Sequence, residues 1–350
     1  MQHPALFLPV VSRDEHVGNS LATADAAEAV DAYLTDCVAF TRRAFGDERI
    51  EVERRAATGA ALLGVLLGRD FNYQSKSKVA PFVPEARARF DRAVDAGRPI
   101  RLHLLYHGGY RANPFGGAAP LSFDVDATDL ALVYQAARFH RKISDIYAPG
   151  AEIVVVINNA VAEFVNEIPI AATRAYVRRL ERLIAGLGAA AHVKVLTQSD
   201  LGPFSERMRG VAIAPWPAVD PMHLRLVPRF LGRPCSEEEA RYRAAAYYKA
   251  EEVWGAEVRV LIDRDDSVCV RQVASTAALS FRSFPGGAAR VQNGTIGFEI
   301  EGGRAVPRLV TSTTCEERPV VRIPFHHPVF ADSSSSGAGE NGEPPLEPAL

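Results

Sequence analysis

Cysteine is scarce in this sequence, with only four among 350 residues. The four are Cys37, Cys235, Cys269 and Cys315, and no two of them stand within four residues of each other. This spacing excludes a CxxC metal or redox motif, and so low a cysteine content excludes a small disulfide-stapled scaffold. We expect four reduced and partly buried thiols. A catalytic cysteine stays open, because no local sequence singles one out.

The chain also lacks an excess of either charge and any long apolar run. Lys+Arg number 40 and Asp+Glu 42, a net charge of −2, so charge gives no reason to expect a nucleic-acid or membrane partner. No apolar run reaches the ~18 residues of a spanning helix, and the first residues do not resemble a secretory signal. We therefore expect a cytoplasmic globular enzyme or binding protein, whose oligomeric state the sequence leaves open.

Several catalytic motifs are missing as well. The sequence has no GxSxG nucleophile elbow and no HExxH motif, so serine-hydrolase and zincin chemistry are not expected. His326 and His327 are adjacent, and adjacent side chains of a strand point in opposite directions, which does not suit a single metal ion. We therefore expect no metal site and no resident cofactor.

Hydrophobic periodicity predicts alternating helices and strands along most of the chain. Helices are predicted at 23–45, 52–67, 84–96, 126–147, 171–187 and 236–254, and strands at 100–105, 152–157 and 193–196. The strand at 152–157 reads EIVVVI, which is typical of a strand buried on both faces. The order of strands and helices predicts an α/β fold, with a Rossmann-like, mostly parallel sheet and flanking helices.

The C-terminal third has a different pattern. Short β-like pieces at 278–281, 295–300 and 319–323 are separated by the turn pairs Gly286-Gly287, Asn293-Gly294 and Gly302-Gly303, which predicts a β-hairpin-rich portion. We divide the chain into an N-terminal helical region (1–83), an α/β core (84–232), a helix plus β-rich portion (233–331) and a disordered tail (332–350).

A Gly-rich loop follows the first predicted strand and carries the strongest candidate site. It includes His107, Gly108, Gly109, Arg111 and Asn113. Ligands of open α/β sheets bind at the carboxyl ends of the strands, where paired glycines let N–H groups approach an anion and an arginine adds a bidentate clamp. The loop is neither a Walker A nor a GxGxxG sequence. It can equally be a plain connection with solvated side chains.

Acidic residues stand at the start of the helix that follows this loop. They are Asp124, Asp126 and Asp129. One of the first two can cap the helix, as short acidic side chains commonly do. Alternatively, a carboxylate there faces the same crevice as Arg111, where it would act as a general base or bind an amine.

Two further groups complete the candidate site. Asn158 and Asn159 end the strand at 152–157, where their amides can hydrogen-bond a polar ligand or simply form a turn. Lys76 and Lys78 lie in the polar loop 69–78, where they are either solvated or drawn into a cleft to bind substrate. A lysine in an apolar cleft can form a Schiff base with a carbonyl compound.

Several segments together resemble a known family. They are 90–93 (FDRA), 97–102 (GRPIRL), 113–114 (NP), 131–132 (AL) and 143–151 (ISDIYAPGA). In order and spacing they resemble the isocyanide synthases, also known as the pyoverdine and dityrosine biosynthesis proteins, whose pattern includes G-x-P-I and I-x-x-I-Y-x-P-G-A. The resemblance extends over about 85–190, and the segment 278–285 (ALSFRSFP), which contains Arg282, is a weaker match to a later family motif.

The resemblance implies a biosynthetic enzyme that forms a C–N bond at the α-amine of an amino acid. The family takes its isonitrile carbon from ribulose 5-phosphate and needs no known metal for that step, so the implied partners are an amino acid and a sugar phosphate. On this basis Asp124, Asp126, His107 and Arg111 are the candidate catalytic residues. The candidate substrate-binding residues are Asn113, Gly108, Gly109, Asn158, Asn159, Lys76, Lys78 and Arg282.

The chain departs from the family pattern at two positions. The family's loop lysine is absent and Arg111 stands nearest to it, although an arginine cannot form a Schiff base. The family's strand-end sequence S-D-G is replaced by 158–160 (NNA), which has no carboxylate to act as a base. A catalytically silent binding protein on the same scaffold, or a different amine-modifying transferase, is therefore also compatible with the sequence.

Overall fold

The computed structural model describes most of the chain between residues 24 and 310. The described residues are 24–46, 57–106, 125, 127–159, 162–163, 168–201, 221, 224, 227–228, 233–271, 278–282 and 295–310. The helices are α1 (Ala24–Phe45), α2 (Gly59–Leu67), α3 (Lys76–Val79), α4 (Val83–Asp95), α5 (Ala127–Ser144), α6 (Ile170–Gly186) and α7 (Glu237–Asp265). The strands are β1 (Ile100–Tyr106), β2 (Ala151–Ile157), β3 (Val193–Thr197), β4 (Val268–Arg271), β5 (Thr295–Glu301) and β6 (Arg304–Val310).

Strands β1 to β4 form one parallel sheet in the order β3-β2-β1-β4. Successive units β1–α5–β2 and β2–α6–β3 build the sheet in one direction, and the chain then returns through α7 to place β4 on the far side of β1. The sheet order therefore reverses between β1 and β4. This arrangement confirms the predicted Rossmann-like α/β fold, in which such a switch point is the usual position of a ligand.

Helices cover both faces of the sheet. Alternate side chains of each strand point to opposite sides, so each strand contributes to both layers. Side chains of one set, such as Leu104, Val155 and Val270, pack in the main core with residues of α1, α2, α4, α5 and α6. On the other face, Leu105 and Val156 pack against Trp254 and other apolar residues of α7. Burial on both faces explains why β1 and β2 consist almost entirely of apolar residues.

The C-terminal hairpin is antiparallel and pairs β5 with β6 around the turn at Gly302 and Gly303. Both glycines have positive φ, 57° and 76°, a conformation that side chains with a Cβ rarely adopt. Within the described residues this hairpin forms its own two-stranded sheet. It confirms the expected β-hairpin after the α/β core. The predicted β-like piece at 278–281 forms one isolated bridge, from Ser280 to Arg271, and not a strand. The segment 319–323 and the tail at 332–350 lie outside the described residues.

The structure differs from the sequence-based predictions at three elements, α7, β4 and α2. The helix predicted to end at Trp254 continues to Asp265, because buried Val258, Leu261 and Ile262 extend the apolar stripe past Gly255. Strand β4 was not predicted at all, since its four residues are too few for a clear period. The second helix also starts later than 52, at Gly59, where the Thr58 side chain accepts a hydrogen bond from the Ala61 N–H.

The described cysteines agree with the expectation of reduced thiols. Cys37, Cys235 and Cys269 are free thiols, whereas Cys315 lies outside the described residues. Burial is the main cause that raises the pKa of Cys37 to about 12 and that of Cys269 to about 11, so both are protonated at neutral pH. Among the described helices, none combines the length and apolar character needed to cross a lipid bilayer.

Candidate functional site

The carboxyl ends of three strands lie at one level of the sheet. Tyr106, the last residue of β1, pairs with Ile157 of β2, which in turn pairs with Thr197 of β3. The next residues along the chain, Asn158 and Gln198, therefore stand together just beyond the sheet. We call this region the carboxyl edge; it holds most of the buried polar groups described below.

Asn159 joins the end of β2 to the end of β3. Its Nδ2 donates to Ser199 Oγ at 2.7 Å and to Glu163 Oε1 at 3.1 Å, while its Oδ1 accepts from the Ser199 N–H at 3.2 Å. The Thr173 hydroxyl, at the start of α6, donates to the same Glu163 oxygen. The Asn159 amide is thus engaged within the protein, where it fixes the relative position of two strand ends.

Asn158 is also buried, with 2% of its surface exposed. Its backbone N–H donates to the Tyr106 carbonyl at 3.1 Å, which extends the β1–β2 ladder by one residue. The two asparagines predicted to bind substrate therefore both lie at the carboxyl edge. Asn158 continues the sheet, and Asn159 connects it to β3.

A glutamine and a glutamate meet on the α7 side of this edge. Gln198 begins the short 3₁₀ turn Gln198–Asp200, and its Nε2 donates to Glu257 Oε2 at 3.2 Å. Both side chains are buried, with exposed fractions of 0% and 4%. A buried carboxylate needs hydrogen bonds to replace its lost hydration. Neither residue was predicted, because the contact joins positions 59 residues apart.

A second buried carboxylate lies on the opposite face, in the first turn of α5. Asp129 Oδ1 accepts hydrogen bonds from the Tyr106 hydroxyl at 2.8 Å and from the Tyr176 hydroxyl at 2.6 Å. Its side chain is fully buried. The two phenols and the positive end of the helix dipole stabilise its negative charge. Of the three acids at this helix start, Asp129 is the one that the structure describes, and it anchors the end of β1.

The polar loop after α2 reaches the end of β4. The Tyr73 hydroxyl donates to the Arg271 carbonyl at 3.1 Å, and the Tyr73 N–H donates to Ser280 Oγ at 3.2 Å. The Ser280 hydroxyl in turn donates to the Asn72 side-chain oxygen. Burial raises the pKa of Tyr73 above its usual value, so its hydroxyl stays protonated. This set of bonds fixes the loop and the segment 278–282 against β4.

We call this set of hydrogen bonds, from Asn72, Tyr73 and Ser280, the tether between the polar loop and β4. Arg282 belongs to the same tether. Its backbone N–H donates to the Phe71 carbonyl at 2.6 Å. Its half-buried guanidinium interacts electrostatically with Asp70 and Tyr73. Burial lowers the pKa of Arg282 from its usual value, and Asp70 opposes that effect. An arginine held in this way remains charged at neutral pH and can bind a carboxylate or a phosphate.

Lys76 and Lys78 occupy α3, at the far end of the polar loop. Both side chains are exposed, and neither forms an ion pair with another described residue. A Schiff-base lysine needs an apolar surrounding that makes it neutral, which the position of these two lysines does not provide. The structure therefore brings Arg282 and residues 70–73 together, and leaves the two lysines at the surface.

The remaining predicted site residues lie outside the described residues. They are His107, Gly108, Gly109, Arg111, Asn113, Asp124 and Asp126. Their segment connects Tyr106, at the carboxyl edge, to the start of α5. Within the described part of the chain, no three His, Cys, Asp or Glu side chains are grouped so that they could hold a metal ion.

Sequence reasoning missed the two tyrosines and the Gln198–Glu257 pair. Tyr176 and Glu257 lie within helices rich in charged residues, where a single phenol or carboxylate gives only a weak signal, and tertiary packing brings them to their partners. The strand-end position of Tyr106 and Gln198 was the one usable signal, since polar groups that directly follow buried strands face the carboxyl edge.

Comparison with known proteins identifies a similar fold. No protein-family model and no curated protein matches the sequence. Among solved structures, the chain is similar to the crystal structure of the PvcA protein from Pseudomonas aeruginosa, with a TM-score of 0.51 and 18% sequence identity. The similarity covers 75% of this chain and 98% of that chain. At this identity the likeness shows a shared α/β fold.

Proposed function

We propose that the protein is a biosynthetic enzyme of the isocyanide-synthase type, acting on the α-amine of an amino acid with ribulose 5-phosphate as carbon donor. One observation carries the proposal. The segment that resembles these synthases, 85–190, contains the described elements α4, β1, α5, β2 and α6, within a fold shared with PvcA. The sequence resemblance and the fold thus support the same class of protein.

The first step of such chemistry is condensation of an amine with a carbonyl group. The amine nitrogen forms a bond to the carbonyl carbon, and the carbonyl oxygen leaves as water, which yields an imine. The step needs a group that removes a proton from the amine and one that protonates the oxygen. We assign these roles to Asp124 or Asp126, with His107 as the alternative acid or base.

Anionic groups of the two substrates need cationic and N–H donors. The loop residues Gly108, Gly109, Arg111 and Asn113 offer these donors directly beyond the end of β1. Arg282 offers a second guanidinium at the end of β4, where the Phe71 carbonyl holds its backbone. We propose that these groups bind the pentose phosphate and the amino-acid carboxylate.

The two described carboxylates at the carboxyl edge have a positioning role in this proposal. Asp129 holds the Tyr106 hydroxyl at 2.8 Å, and Tyr106 is the residue from which the Gly-rich loop starts. Glu257 holds Gln198 on the other face at 3.2 Å. Both acids are buried and already bonded, so we expect them to orient neighbouring elements rather than to touch the substrate.

Mass spectrometry of reaction mixtures tests the proposal. The purified protein is incubated with the twenty amino acids, with and without ribulose 5-phosphate, and products are sought without a preset target. We expect a new product that requires the pentose phosphate and is lost in Asp124→Asn or Asp126→Asn. The matched control is Asp145→Asn, an exposed aspartate after α5 whose partner is Arg141 at 3.3 Å. Full turnover in both test variants would contradict the assignment of these aspartates.

A catalytically silent binding protein is the second candidate. The observation that favours it is the absence of the family's loop lysine and strand-end aspartate, with NNA at 158–160. This alternative predicts saturable binding of an amino acid or sugar phosphate without any product. A product that appears without the pentose would instead favour a different amine-modifying transferase.

A further inference from the structure

A cavity of about 310 Å³ lies on the α7 face of the sheet, beside β4. It extends between α4, α7, β4 and the segment 278–282. Its apolar wall consists of Phe82, Ala86, Leu105, Val258, Ile262 and Leu279. Small-molecule sites in proteins are mostly apolar, with a few polar groups that fix the orientation of the ligand, and start at roughly 300 Å³. The cavity meets this description in its size and in its apolar wall.

Most charges around the cavity are already paired. Arg89 contacts Glu85 at 2.8 Å and Asp263 at 2.5 Å, and it also donates to the Ile262 carbonyl at 2.9 Å. Arg259 lies 3.4 Å from Glu85 and 3.6 Å from Asp263. The two carboxylates therefore balance these two arginines. Asp266 lies a further 3.8 Å from Arg89, so that end of the cavity carries no unpaired positive charge among the described residues.

Arg271 differs from the other two arginines. It lines the cavity at the end of β4, and no described carboxylate lies within ion-pair distance of its guanidinium. The six residues that follow it, QVASTA, contain no acid. Its backbone carbonyl is bonded to Tyr73, which fixes the position of the residue. A guanidinium on a fixed stretch of backbone beside an apolar cavity is suited to binding a carboxylate in bidentate fashion.

Gly255 marks open space on the α7 side of the same cavity. A Cβ placed on this glycine would meet no heavy atom within 4 Å, although Gly255 lies inside a long helix and lines the cavity. A cavity of about 150 Å³ is known to hold one benzene molecule. The volume beside Gly255 is about twice as large, so a ligand with one or two rings fits.

We propose that this cavity binds a small apolar carboxylate with one or two rings, the carboxylate on Arg271 and the ring among Leu105, Val258 and Leu279. The ligand needs neither an amine nor a phosphate. The site is therefore separate in its chemistry from the proposed amine-modifying reaction, and it goes beyond that proposal.

Calorimetric titration of the full chain with two probes tests this site. The probes are 3-phenylpropanoate and its uncharged analogue 3-phenylpropanamide, which have nearly the same shape. We expect the acid to bind at least tenfold more tightly than the amide. Arg271→Gln should remove this difference, and Gly255→Leu should weaken binding of both probes at least tenfold because the new side chain occupies the cavity.

The control variant is Arg259→Gln, which removes an arginine that also lines the cavity but is paired with Glu85 and Asp263. We expect it to keep the preference for the acid. Equal binding of acid and amide, no binding of either, or an unchanged preference in Arg271→Gln would overturn the proposal. Unchanged binding in Gly255→Leu would place the probe elsewhere and overturn it as well. Turnover of an amino acid is not measured, so the result does not depend on the proposed function.

Discussion

Asn159 stands at the strand end that the resemblance to the isocyanide synthases aligns with their sequence S-D-G. In this chain its Nδ2 donates to Glu163 Oε1 at 3.1 Å, and Glu163 also accepts from Thr173. A carboxylate in place of the amide could not donate, and it would place a second negative charge beside Glu163. The surrounding residues therefore explain why an amide rather than an acid stands here.

Asn159→Asp is expected to destabilise the protein by about 1–3 kcal/mol, the usual cost of leaving partly buried polar groups without a partner. The loss has two sources, repulsion between the new carboxylate and Glu163, and removal of the Nδ2 donor to Glu163 Oε1. The measurement is the free energy of unfolding from urea denaturation at pH 7.

The double variant Asn159→Asp with Glu163→Gln provides the control. The glutamine introduced by the second substitution would supply the missing donor and remove the repelling charge, so we expect it to recover most of the loss. If the double variant is as unstable as the single one, the hydrogen bond between these two side chains is not the reason for the amide.

Gly59 and Gly64 in α2 have opposite surroundings. A Cβ on Gly59 would lie 2.3 Å from Asp91 Oδ1 and 2.6 Å from the Asp91 backbone nitrogen, whereas a Cβ on Gly64 would meet no atom within 4 Å. Gly59 also donates its N–H to Asp91 Oδ1 at 2.8 Å. The close approach of α2 to α4 therefore depends on the missing side chain at Gly59.

Alanine should accordingly have opposite effects at the two positions. We expect Gly59→Ala to cost about 1–3 kcal/mol, as overpacking does. Gly64→Ala should gain about 0.8–1 kcal/mol, the difference in helix propensity. Thermal unfolding of the two variants checks both signs. A stabilised Gly59→Ala would show that α2 and α4 are not in the contact described.

The tether between the polar loop and β4 depends on Ser280. Its side chain, 2% exposed, bonds Asn72 and Tyr73, which lie more than two hundred residues earlier in the chain. Ser280→Ala leaves two partly buried polar groups without this partner, and we expect a loss of about 1–3 kcal/mol. Ser77→Ala is the control, because among the described residues its exposed hydroxyl is bonded to the Ser75 side chain alone; a change within about 0.5 kcal/mol is expected.

Equilibrium unfolding in urea distinguishes the two serine variants. A Ser280→Ala protein as stable as the unmodified chain would contradict the tether. Because Arg282 follows two residues later, the same variant should also weaken anion binding if Arg282 takes part in the site.

The elements from β1 to β3 could be predicted because each has a strong local pattern. Strand β2 is apolar throughout, and α6 keeps a clear apolar stripe. Helix α7 shows where such reasoning fails, since Gly255 interrupts the sequence pattern but not the helix. Strand β4 has only four residues, and what defines it is its pairing with β1, a contact that local sequence does not contain.

For the candidate site, the position at the sheet edge could be predicted, whereas the pairs of distant residues could not. The carboxyl edge follows from the order of strands, so Asn158 and Asn159 were placed correctly on it. The bond from Tyr176 to Asp129 spans 47 residues, and that from Gln198 to Glu257 spans 59. Such pairs arise from packing of distant elements, which neither periodicity nor spacing reveals.

Two buried histidines should make the stability of the whole molecule depend on pH. Burial lowers the pKa of both His103 and His140 to about 4, against about 6.5 for a histidine in the unfolded chain. His103 Nδ1 is bonded to Ser267 Oγ at 2.6 Å, and His140 Nδ1 lies 2.8 Å from the Ala151 carbonyl. Both are therefore neutral in the folded protein at pH 6 and partly charged in the unfolded one.

The sign of the effect follows from the lowered pKa values. The unfolded state binds more protons as the pH falls below about 6.5, so stability is highest above that pH and decreases towards pH 4. The slope approaches about 1.4 kcal/mol per pH unit for each histidine. Urea denaturation between pH 7.5 and 4 measures it. We expect His140→Gln to reduce the slope, and a free energy of unfolding that is constant between pH 6.5 and 4.5 would contradict the account.

The proposed reaction transfers one carbon to an amino-acid nitrogen, and isotope labelling follows that carbon. The protein is incubated with ¹⁵N-labelled amino acids and uniformly ¹³C-labelled ribulose 5-phosphate, and the products are analysed by high-resolution mass spectrometry. We expect a product that retains ¹⁵N and contains a single ¹³C atom. A product without ¹³C, or saturable binding of both compounds without any product, would contradict it.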